Sequence, residues 1–371
     1  MKTFHCDGCG GLVFFENTLC LSCGHSLAYM PDVQDLTAYK HGNAAAVVAL
    51  NPAAQFRSYR LCDNADKPAA CNWLVAAEDS SPFCISCRMN QCIPDLSVAA
   101  NHDRWHKLEL AKRYLLYGLF NLHLPLTGSD AESPSLRFQF LSEMEGRFVV
   151  QTGHENGLIT LNIAEADDPE RELRRVNLHE PFRTLLGHFR HEVGHYYWDR
   201  LIRDSGWLEP FREVFGDEQA DYEQALKRHY ENGPPADWSG HSISAYASSH
   251  PWEDWAETWA HYLHMVDTIE TAAAFGMLLK PQHPAAKTMV ADPGQIVRKR
   301  TDFDAMVETW VPLTYTLNSL NRGMGLSDLY PFVLSSGAIE KLRFVHQVIC
   351  AMETDATGKN EALAMEQAVG A

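Results

Sequence analysis

The sequence predicts an α+β fold, mostly helical, in which a large C-terminal domain follows small cysteine-rich modules. Nine of the ten cysteines fall between Cys6 and Cys92 of the 371 residues, and only Cys350 lies beyond them. After residue 101, apolar residues recur mainly at the 3.6-residue period of amphipathic helices. Short alternating runs, typical of strands, interrupt this period only between residues 136 and 164.

The composition excludes several classes of protein. Apolar residues make up 46% and charged residues 21% of the chain, as in ordinary globular proteins. The 31 Lys and Arg against 48 Asp and Glu give a net charge of −17, which argues against nucleic acid as a partner. No apolar run approaches the ~18 residues of a membrane-spanning helix, and no signal-peptide core is evident. We therefore expect a cytoplasmic protein with no membrane partner.

Residues 1–30 are predicted to form a zinc ribbon. Cys6-x2-Cys9 and Cys20-x2-Cys23 are two knuckles, each followed by a glycine that lets the backbone fold tightly around a sulfur. Four thiolates satisfy the tetrahedral coordination of Zn²⁺. Disulfides are the alternative, but cysteines in a reducing compartment more often bind metal. The metal would supply the folding energy that so short a segment lacks.

Residues 31–98 are predicted to hold a second four-cysteine zinc site, followed by a linker. Two of its ligands form a knuckle and two are irregularly spaced, the set being Cys62, Cys71, Cys84 and Cys87. Cys92 is an alternative ligand, and Cys71 and Cys92 are alternatively buried thiols of a core. The first hundred residues contain six basic and nine acidic side chains. They therefore present no basic stripe for nucleic acid.

Residues 99–352 are predicted as one domain with a small sheet near its start. Leu136–Phe140 alternates like a strand, and Asn156-Gly157 is a strong signal for a tight hairpin turn. The second strand of this hairpin is predicted over Leu158–Ala164. After it the pattern is helical, and residues 353–371 are predicted as a flexible tail.

The motif HEVGH, residues 191–195, lies in a segment with the periodicity of a buried helix, residues 182–201. Histidines at i and i+4, here His191 and His195, project from one helix face and can bind one metal ion. Glu192 lies ~100° further round, where its carboxylate can reach bound water without ligating the ion. Two imidazoles and one more ligand leave a zinc position open for water. The motif predicts metal-dependent hydrolysis with Glu192 as general base and acid, and its alternative is a surface helix with two histidines.

The third ligand does not follow from this motif. The metzincin pattern HExxHxxGxxH is excluded, because Trp198 and Leu201 occupy its glycine and last histidine positions. Glu213 stands near the spacing of thermolysin-type enzymes. A helical segment further on carries Glu253 and Glu257 one turn apart, a pair of which the first could bind the ion and the second orient a ligand histidine.

The stretch around this pair resembles the active-site half of gluzincin peptidases of the anthrax lethal factor type, which carry Y-x6-E-x-x-A-E after HExGH. Tyr246, Glu253, Ala256 and Glu257 stand at those spacings. The resemblance implies that Glu253 is the zinc ligand and Glu257 the partner of a ligand histidine. It also implies that Tyr246 donates a hydrogen bond to the oxyanion of the tetrahedral intermediate. The gap between His195 and Glu253 is longer here than in lethal factor.

Taken whole, the cysteine-rich head, GHFRHEVGHYYW and PWEDWAETWAHYLH resemble the zinc-ribbon-containing putative zinc-binding metallopeptidases over nearly the full chain. The resemblance implies a zincin-like (gluzincin) domain, one catalytic and two structural Zn²⁺ ions, and a peptide or protein substrate. In gluzincins an edge strand precedes the HExxH helix, so Leu158–Ala164 is expected to be an edge to which a substrate peptide adds. The alternative function is a zinc-ribbon adaptor that binds a protein or peptide without efficient hydrolysis.

Two other groups of residues have plainer expectations. His188 lies ~10.5 Å from His195 along the helix, so it cannot share the same ion and is expected to pack beside the site. A run of acidic residues is expected to be a solvated helix face, with the lining of a cleft or a second cation site as the alternatives: Asp217, Glu218, Asp221 and Glu223.

Overall fold

The computed structural model describes residues 1–43, 46–65, 70–127, 134–143, 150–177, 184–298 and 302–369. The chain divides into two compact units. The first unit contains Lys2–Tyr117 and Ser135–Arg171, and the second contains Met1, Gly118–Pro134 and Glu172–Ala371. The predicted α+β class is confirmed, with the described strands in the first unit and most of the helices in the second.

The strands form three sheets among the described residues. In chain order they are β1 (Phe4–His5), β2 (Leu12–Val13), β3 (Ser26–Met30), β4 (Asp35–His41), β5 (Ala46–Ala49), β6 (Ser58–Leu61), β7 (Leu74–Ala76), β8 (Asn90–Cys92), β9 (Arg137–Leu141), β10 (Gly153–Glu155) and β11 (Leu158–Asn162). β1 and β2 form an antiparallel pair, and β3 to β7 form an antiparallel meander. The third sheet has the order β10-β11-β9-β8 and mixes parallel and antiparallel pairs.

The described residues contain ten α-helices, most of them in the second unit. In chain order they are α1 (Ala99–Asn121), α2 (Asp168–Asn177), α3 (Leu185–Leu201), α4 (Leu208–Phe215), α5 (Tyr222–Asn232), α6 (Trp238–His241), α7 (Pro251–Ala274), α8 (Pro293–Arg298), α9 (Phe303–Gly323) and α10 (Ser336–Val369). The predicted helix over 182–201 is observed as α3, and residues 178–183 lie outside the described part of the chain. Within the described ranges, no helix has the length and apolarity to cross a bilayer.

The C-terminal stretch differs from the prediction. The sequence predicts a flexible tail over residues 353–371, whereas α10 continues as far as Val369. The reason is composition, because residues 360–369 read NEALAMEQAV and consist mainly of strong helix formers. The helix propensity of these residues therefore extends α10 beyond residue 352, where the predicted helical pattern of apolar residues ends.

The two predicted cysteine modules share one sheet and one core. β3 belongs to the predicted module 1–30, yet it pairs with β4, with Leu27 opposite Ala38. The Phe15 and Tyr29 ring centroids are 4.8 Å apart, and those of Tyr29 and Trp73 are 5.0 Å apart. The predicted division between 1–30 and 31–98 is therefore absent from the structure, because neither segment buries its aromatic side chains alone. The same compact unit also takes in residues 99–117 of the predicted C-terminal domain.

The predicted hairpin is confirmed, but its second strand is not an edge. β10 and β11 pair antiparallel, and Asn156 and Gly157 have φ values of 48° and 77°, as a type I′ turn requires. β11 also pairs in parallel with β9, so both of its sides are occupied. The expectation that a peptide adds to Leu158–Ala164 is therefore wrong. The pairing with β9 depends on a contact between distant segments, which the local alternation does not reveal.

Helices α3 and α7 cross in close contact at Gly194. A Cβ at this position would lie 2.9 Å from the Cα and 3.2 Å from the carbonyl oxygen of Ala256. The Trp255 indole N–H donates to the Gly194 carbonyl oxygen at 2.8 Å. Tyr197 stacks on Trp259, with ring centroids 4.7 Å apart. The crossing brings the HEVGH motif against the first turns of α7.

We expect Gly194→Ala to lower the free energy of unfolding by about 1–3 kcal/mol, because the added methyl meets backbone that cannot move aside cheaply. Gly323→Ala, in the last turn of α9, is the control, since a Cβ there meets nothing within 4 Å. That control should be neutral or stabilising by about 0.5–1 kcal/mol. Urea unfolding of both variants measures the difference, and equal stabilities would contradict the close crossing.

Candidate functional site

The four cysteines predicted for the first structural zinc site lie together. Their sulfurs are all within 4.8 Å of one another: Cys6, Cys9, Cys20 and Cys23. The Cys6–Cys23 and Cys9–Cys20 sulfur pairs are 3.6 and 3.7 Å apart. Sulfurs around a tetrahedral zinc ion with ~2.3 Å bonds lie about 3.8 Å apart, whereas a disulfide is about 2.05 Å long. Gly10 and Gly24 follow the knuckles with φ of 73° and 75°, the left-handed values that favour glycine.

The second cysteine cluster also contains the four predicted residues. They are all buried and within 4.8 Å of one another: Cys62, Cys71, Cys84 and Cys87. The sulfurs of Cys71 and Cys84 are 3.6 Å apart, again close to the spacing of a zinc tetrahedron. The Cys84 backbone N–H donates to the Cys62 sulfur at 3.3 Å, which stabilises a thiolate there. Cys92, the alternative ligand, is exposed and lies outside the cluster.

Helices α3 and α7 bring a third cluster together. His191 Nε2 lies 3.1 Å and His195 Nε2 lies 3.6 Å from Glu253 Oε2. Donor atoms around tetrahedral zinc with bonds of ~2.0–2.1 Å lie about 3.3 Å apart. Two imidazoles and one carboxylate leave a fourth position open, which is the donor set of a catalytic zinc site. These residues therefore fit the zinc ion that the HExxH motif implies.

The charges around this cluster favour a cation. Burial lowers the pKa of His191, but Glu253 and Glu257 outweigh the burial, so the net pKa lies well above its usual value. Burial raises the pKa of Glu253, and the opposing charges of His195 and His191 bring the net pKa well below its usual value. Surroundings that stabilise a proton on His191 so strongly also stabilise a metal cation at the same place.

Glu257 lies where it orients one of the histidines. Its Oε1 is 2.8 Å from His191 Nδ1, and its Oε2 accepts a hydrogen bond from Ser244 Oγ at 2.6 Å. Burial raises the pKa of Glu257, but the contact with His191 outweighs it, and the net pKa falls to about 2. The carboxylate therefore accepts a hydrogen bond from Nδ1–H of His191, and Nε2 of the same ring is left to face the ion. Nothing in the spacing of the motifs pointed to Ser244.

Glu192 and Tyr246 border the same cluster. His188 Nε2 lies 3.3 Å from Glu192 Oε1. Burial raises the pKa of Glu192, but His188 and His191 outweigh it, so the net pKa lies below its usual value and the group is a carboxylate. The Tyr246 ring centroid is 6.0 Å from that of His191. Burial and the Glu253 charge raise the pKa of Tyr246 well above its usual value, so it keeps its proton and can donate it in a hydrogen bond.

Comparison with protein families agrees with this geometry. A family model described as "Putative zinc-binding metallo-peptidase" matches residues 101–348, which is about two thirds of the chain. The chain belongs to this family. A second model, a zinc-ribbon domain, matches residues 3–98. The suspected relationship is confirmed, and the metallo-peptidase family description and the two four-cysteine clusters support zinc binding.

Relatives of this metallo-peptidase family member occur in mycobacteria. An uncharacterized protein of Mycobacterium bovis is 42% identical over 357 residues, which cover 96% of this chain and 97% of the relative. Uncharacterized proteins of two Mycobacterium tuberculosis strains show the same identity and coverage. No solved structure matches the chain.

The structure separates the two candidate third ligands of the metallo-peptidase motif. Glu213 is exposed on α4 and lies outside the cluster that contains Glu253. Among the described residues, the group of possible metal ligands around the two histidines therefore includes Glu253 and not Glu213. Trp252 is half-buried, with its ring centroid 3.8 Å from that of His195.

The acidic run of residues 217–223, which ends in the first turn of α5, has structural uses that its sequence did not indicate. Glu218 pairs with Arg212, with oxygen–nitrogen distances of 2.6 and 2.9 Å. Asp221 caps α5 by accepting a hydrogen bond from the Gln224 backbone N–H. None of these acids belongs to a metal-ligating group among the residues that the structure describes. Like Ser244, Tyr222 is marked by no sequence pattern, and its hydroxyl donates to Glu253 Oε1 at 2.6 Å.

Proposed function

We propose that the protein is a gluzincin-type zinc metallopeptidase that hydrolyses peptide bonds in a peptide or protein substrate. One observation carries the proposal. Three donor atoms, from His191, His195 and Glu253, stand at tetrahedral spacing, and the buried carboxylate of Glu192 adjoins them without being one of the donors. A structural zinc site is closed by four protein ligands, whereas this cluster supplies three. The family description supports the same class of reaction.

The roles of the side chains follow from their places around the cluster. A zinc ion held there would lower the pKa of bound water to about 7 and polarise the substrate carbonyl. Glu192 takes the proton of the attacking water on its carboxylate and returns it to the leaving amine. Tyr246 donates its phenolic hydrogen to the oxyanion that develops on the substrate. Glu257 keeps His191 in the tautomer that presents Nε2.

The two four-cysteine clusters are proposed to hold structural zinc, which gives three ions per chain with the His/His/Glu site. Four thiolates close the coordination sphere and leave no position for water or substrate. Their function is to fold the small sheets of the first unit, which lack a large core of their own. Ligand thiols of this kind need a reducing compartment, so we propose a cytoplasmic location.

Zinc removal tests the proposed function directly. We expect the purified protein to contain three zinc ions per chain and to cleave members of a broad peptide library, with products identified by mass spectrometry. A chelator should remove the His/His/Glu ion first, because three protein ligands hold it less firmly than four thiolates. Cleavage should stop at that point and return when one equivalent of zinc is added back. A zinc-loaded protein that cleaves no library member would instead favour the adaptor that binds a protein or peptide.

A further inference from the structure

We propose that Tyr222 is a positioning residue that holds Glu253 as a one-oxygen ligand of the catalytic zinc. The inference rests on the proposed function of the His/His/Glu site. The two oxygens of Glu253 have separate partners. Oε1 accepts the hydrogen bond from Tyr222 at 2.6 Å. Oε2 faces His191 Nε2 and His195 Nε2 at 3.1 and 3.6 Å.

This division matters because a carboxylate can bind an ion through one oxygen or through both. Two-oxygen binding by Glu253 would fill the coordination position that water needs. A charge-assisted hydrogen bond from a phenol is short and strong, and it occupies the oxygen that would otherwise turn towards the ion. A tyrosine phenol has an ordinary pKa of about 10, so at neutral pH it carries its proton and is a hydrogen-bond donor.

The N-terminus of α5 is tied to α7, and this fixes the Tyr222 hydroxyl. His250 caps α7, with its Nδ1 accepting the Trp252 backbone N–H at 3.1 Å. Its other ring nitrogen, Nε2, lies 3.0 Å from the Ala220 carbonyl oxygen and therefore donates to it. Ala220 stands two residues before Tyr222. His250 thus caps α7, the helix that carries Glu253, and also holds the loop that leads into Tyr222.

Aromatic packing holds the ring of Tyr222 independently of its hydroxyl. The ring packs edge-on against His250 and Trp252, with centroid distances of 5.2 and 5.8 Å. Trp252 in turn lies against His195, with centroids 3.8 Å apart. A phenylalanine at position 222 keeps these ring contacts and loses only the hydrogen bond to Glu253. Tyr222→Phe is therefore a clean test of the hydroxyl.

The segment between α3 and α7 thereby contributes to the site. The long gap between His195 and Glu253 departs from the lethal factor spacing, and α5 lies within it. Tyr222, the first residue of α5, reaches a zinc-ligand candidate from this segment. The segment is therefore more than a connection, because it restrains the third ligand.

The test measures zinc affinity as well as turnover. Zinc binding at the His/His/Glu site is measured by competition with a chelator of known affinity, with both four-cysteine sites kept filled. We expect Tyr222→Phe to weaken that affinity by about 10–100-fold, as loss of a ligand's hydrogen-bond partner does. kcat should fall with little change in KM when zinc is saturating. Tyr315→Phe is the control, since Tyr315 is 63% exposed on α9, and it should match the wild type in both measurements.

Tyr246→Phe separates positioning from direct catalysis. Loss of an oxyanion donor should lower kcat by about 10²–10³-fold and leave zinc affinity unchanged. Tyr222→Phe would overturn the proposal if it lost kcat with unchanged zinc affinity, or if it matched Tyr315→Phe in both measurements. If the wild type cleaves no peptide, the proposed function fails, but the zinc competition still decides the role of Tyr222. A wild type that binds no third zinc ion would overturn both.

Discussion

Replacing Glu192 by Gln is expected to lower peptide hydrolysis by about 10²–10⁴-fold, the usual contribution of a general acid–base group. The amide has nearly the same shape as the carboxylate but cannot accept the proton of the attacking water. Zinc content should stay at the wild-type value, because Glu192 is not among the three donors of the His/His/Glu cluster. The measurements are kcat/KM on a library-derived peptide and zinc per chain by elemental analysis.

Glu213→Gln is the control for that experiment. Glu213 is exposed on α4, so its amide variant should keep both zinc and activity. Loss of the third zinc in Glu213→Gln would mean that the ligand assignment to Glu253 is wrong. Full activity in Glu192→Gln would remove the general base from the mechanism, whatever the zinc content. The two substitutions together test the roles of both carboxylates without changing side-chain volume.

The largest expected effect on stability is that of Cys84→Ser. Cys84 is 1% exposed within the second four-cysteine cluster, and a neutral hydroxyl is a poor substitute for a thiolate ligand. Structural zinc contributes about 10–16 kcal/mol of apparent folding free energy, which equals or exceeds the total stability of a typical domain. We therefore expect the sheet β3–β7 to lose its fold along with the ion.

Two measurements check this expectation. Zinc content should fall from three ions per chain to two or fewer, and hydrogen exchange should become fast in β3–β7. Cys92→Ser is the matched control, because Cys92 is an exposed cysteine outside the cluster, and it should keep both zinc and protection. Full zinc content in Cys84→Ser, or loss of zinc in Cys92→Ser, would mean that the ligand set includes Cys92 in place of Cys84.

Local spacing predicted much of the candidate site. His191 and His195 are four residues apart on one helix, so their common face follows from helix geometry alone. The knuckle Cys84-x2-Cys87 likewise brings two sulfurs together within a single turn. The type I′ turn at Asn156-Gly157 follows from the same kind of short-range rule. Each of these features needs only a few consecutive residues.

The errors concern pairs of segments that are far apart in the chain. β11 resembles an edge strand until β9 pairs with its other side. The modules 1–30 and 31–98 resemble separate units until the rings of Tyr29 and Trp73 pack together. Tyr222 stands within an acidic run of the sequence, and its partner Glu253 is 31 residues away. No local pattern marks such contacts.

The sequence by itself determined that this chain has two four-cysteine groups and an HExxH helix. Their short spacings are informative because, within a knuckle or a helical turn, backbone geometry alone fixes which side chains lie together. The choice of Glu253 over Glu213 was only a resemblance at that level. In the tertiary structure, the close crossing of α3 and α7 at Gly194 brings Glu253, and not Glu213, to the two histidines. The tertiary structure also fixes which oxygen of Glu253 faces the histidines. The loop held by His250 places the Tyr222 hydroxyl against Oε1, so that Oε2 faces the two rings. Packing between distant helices fixes such distances, and it depends on side chains from the whole unit.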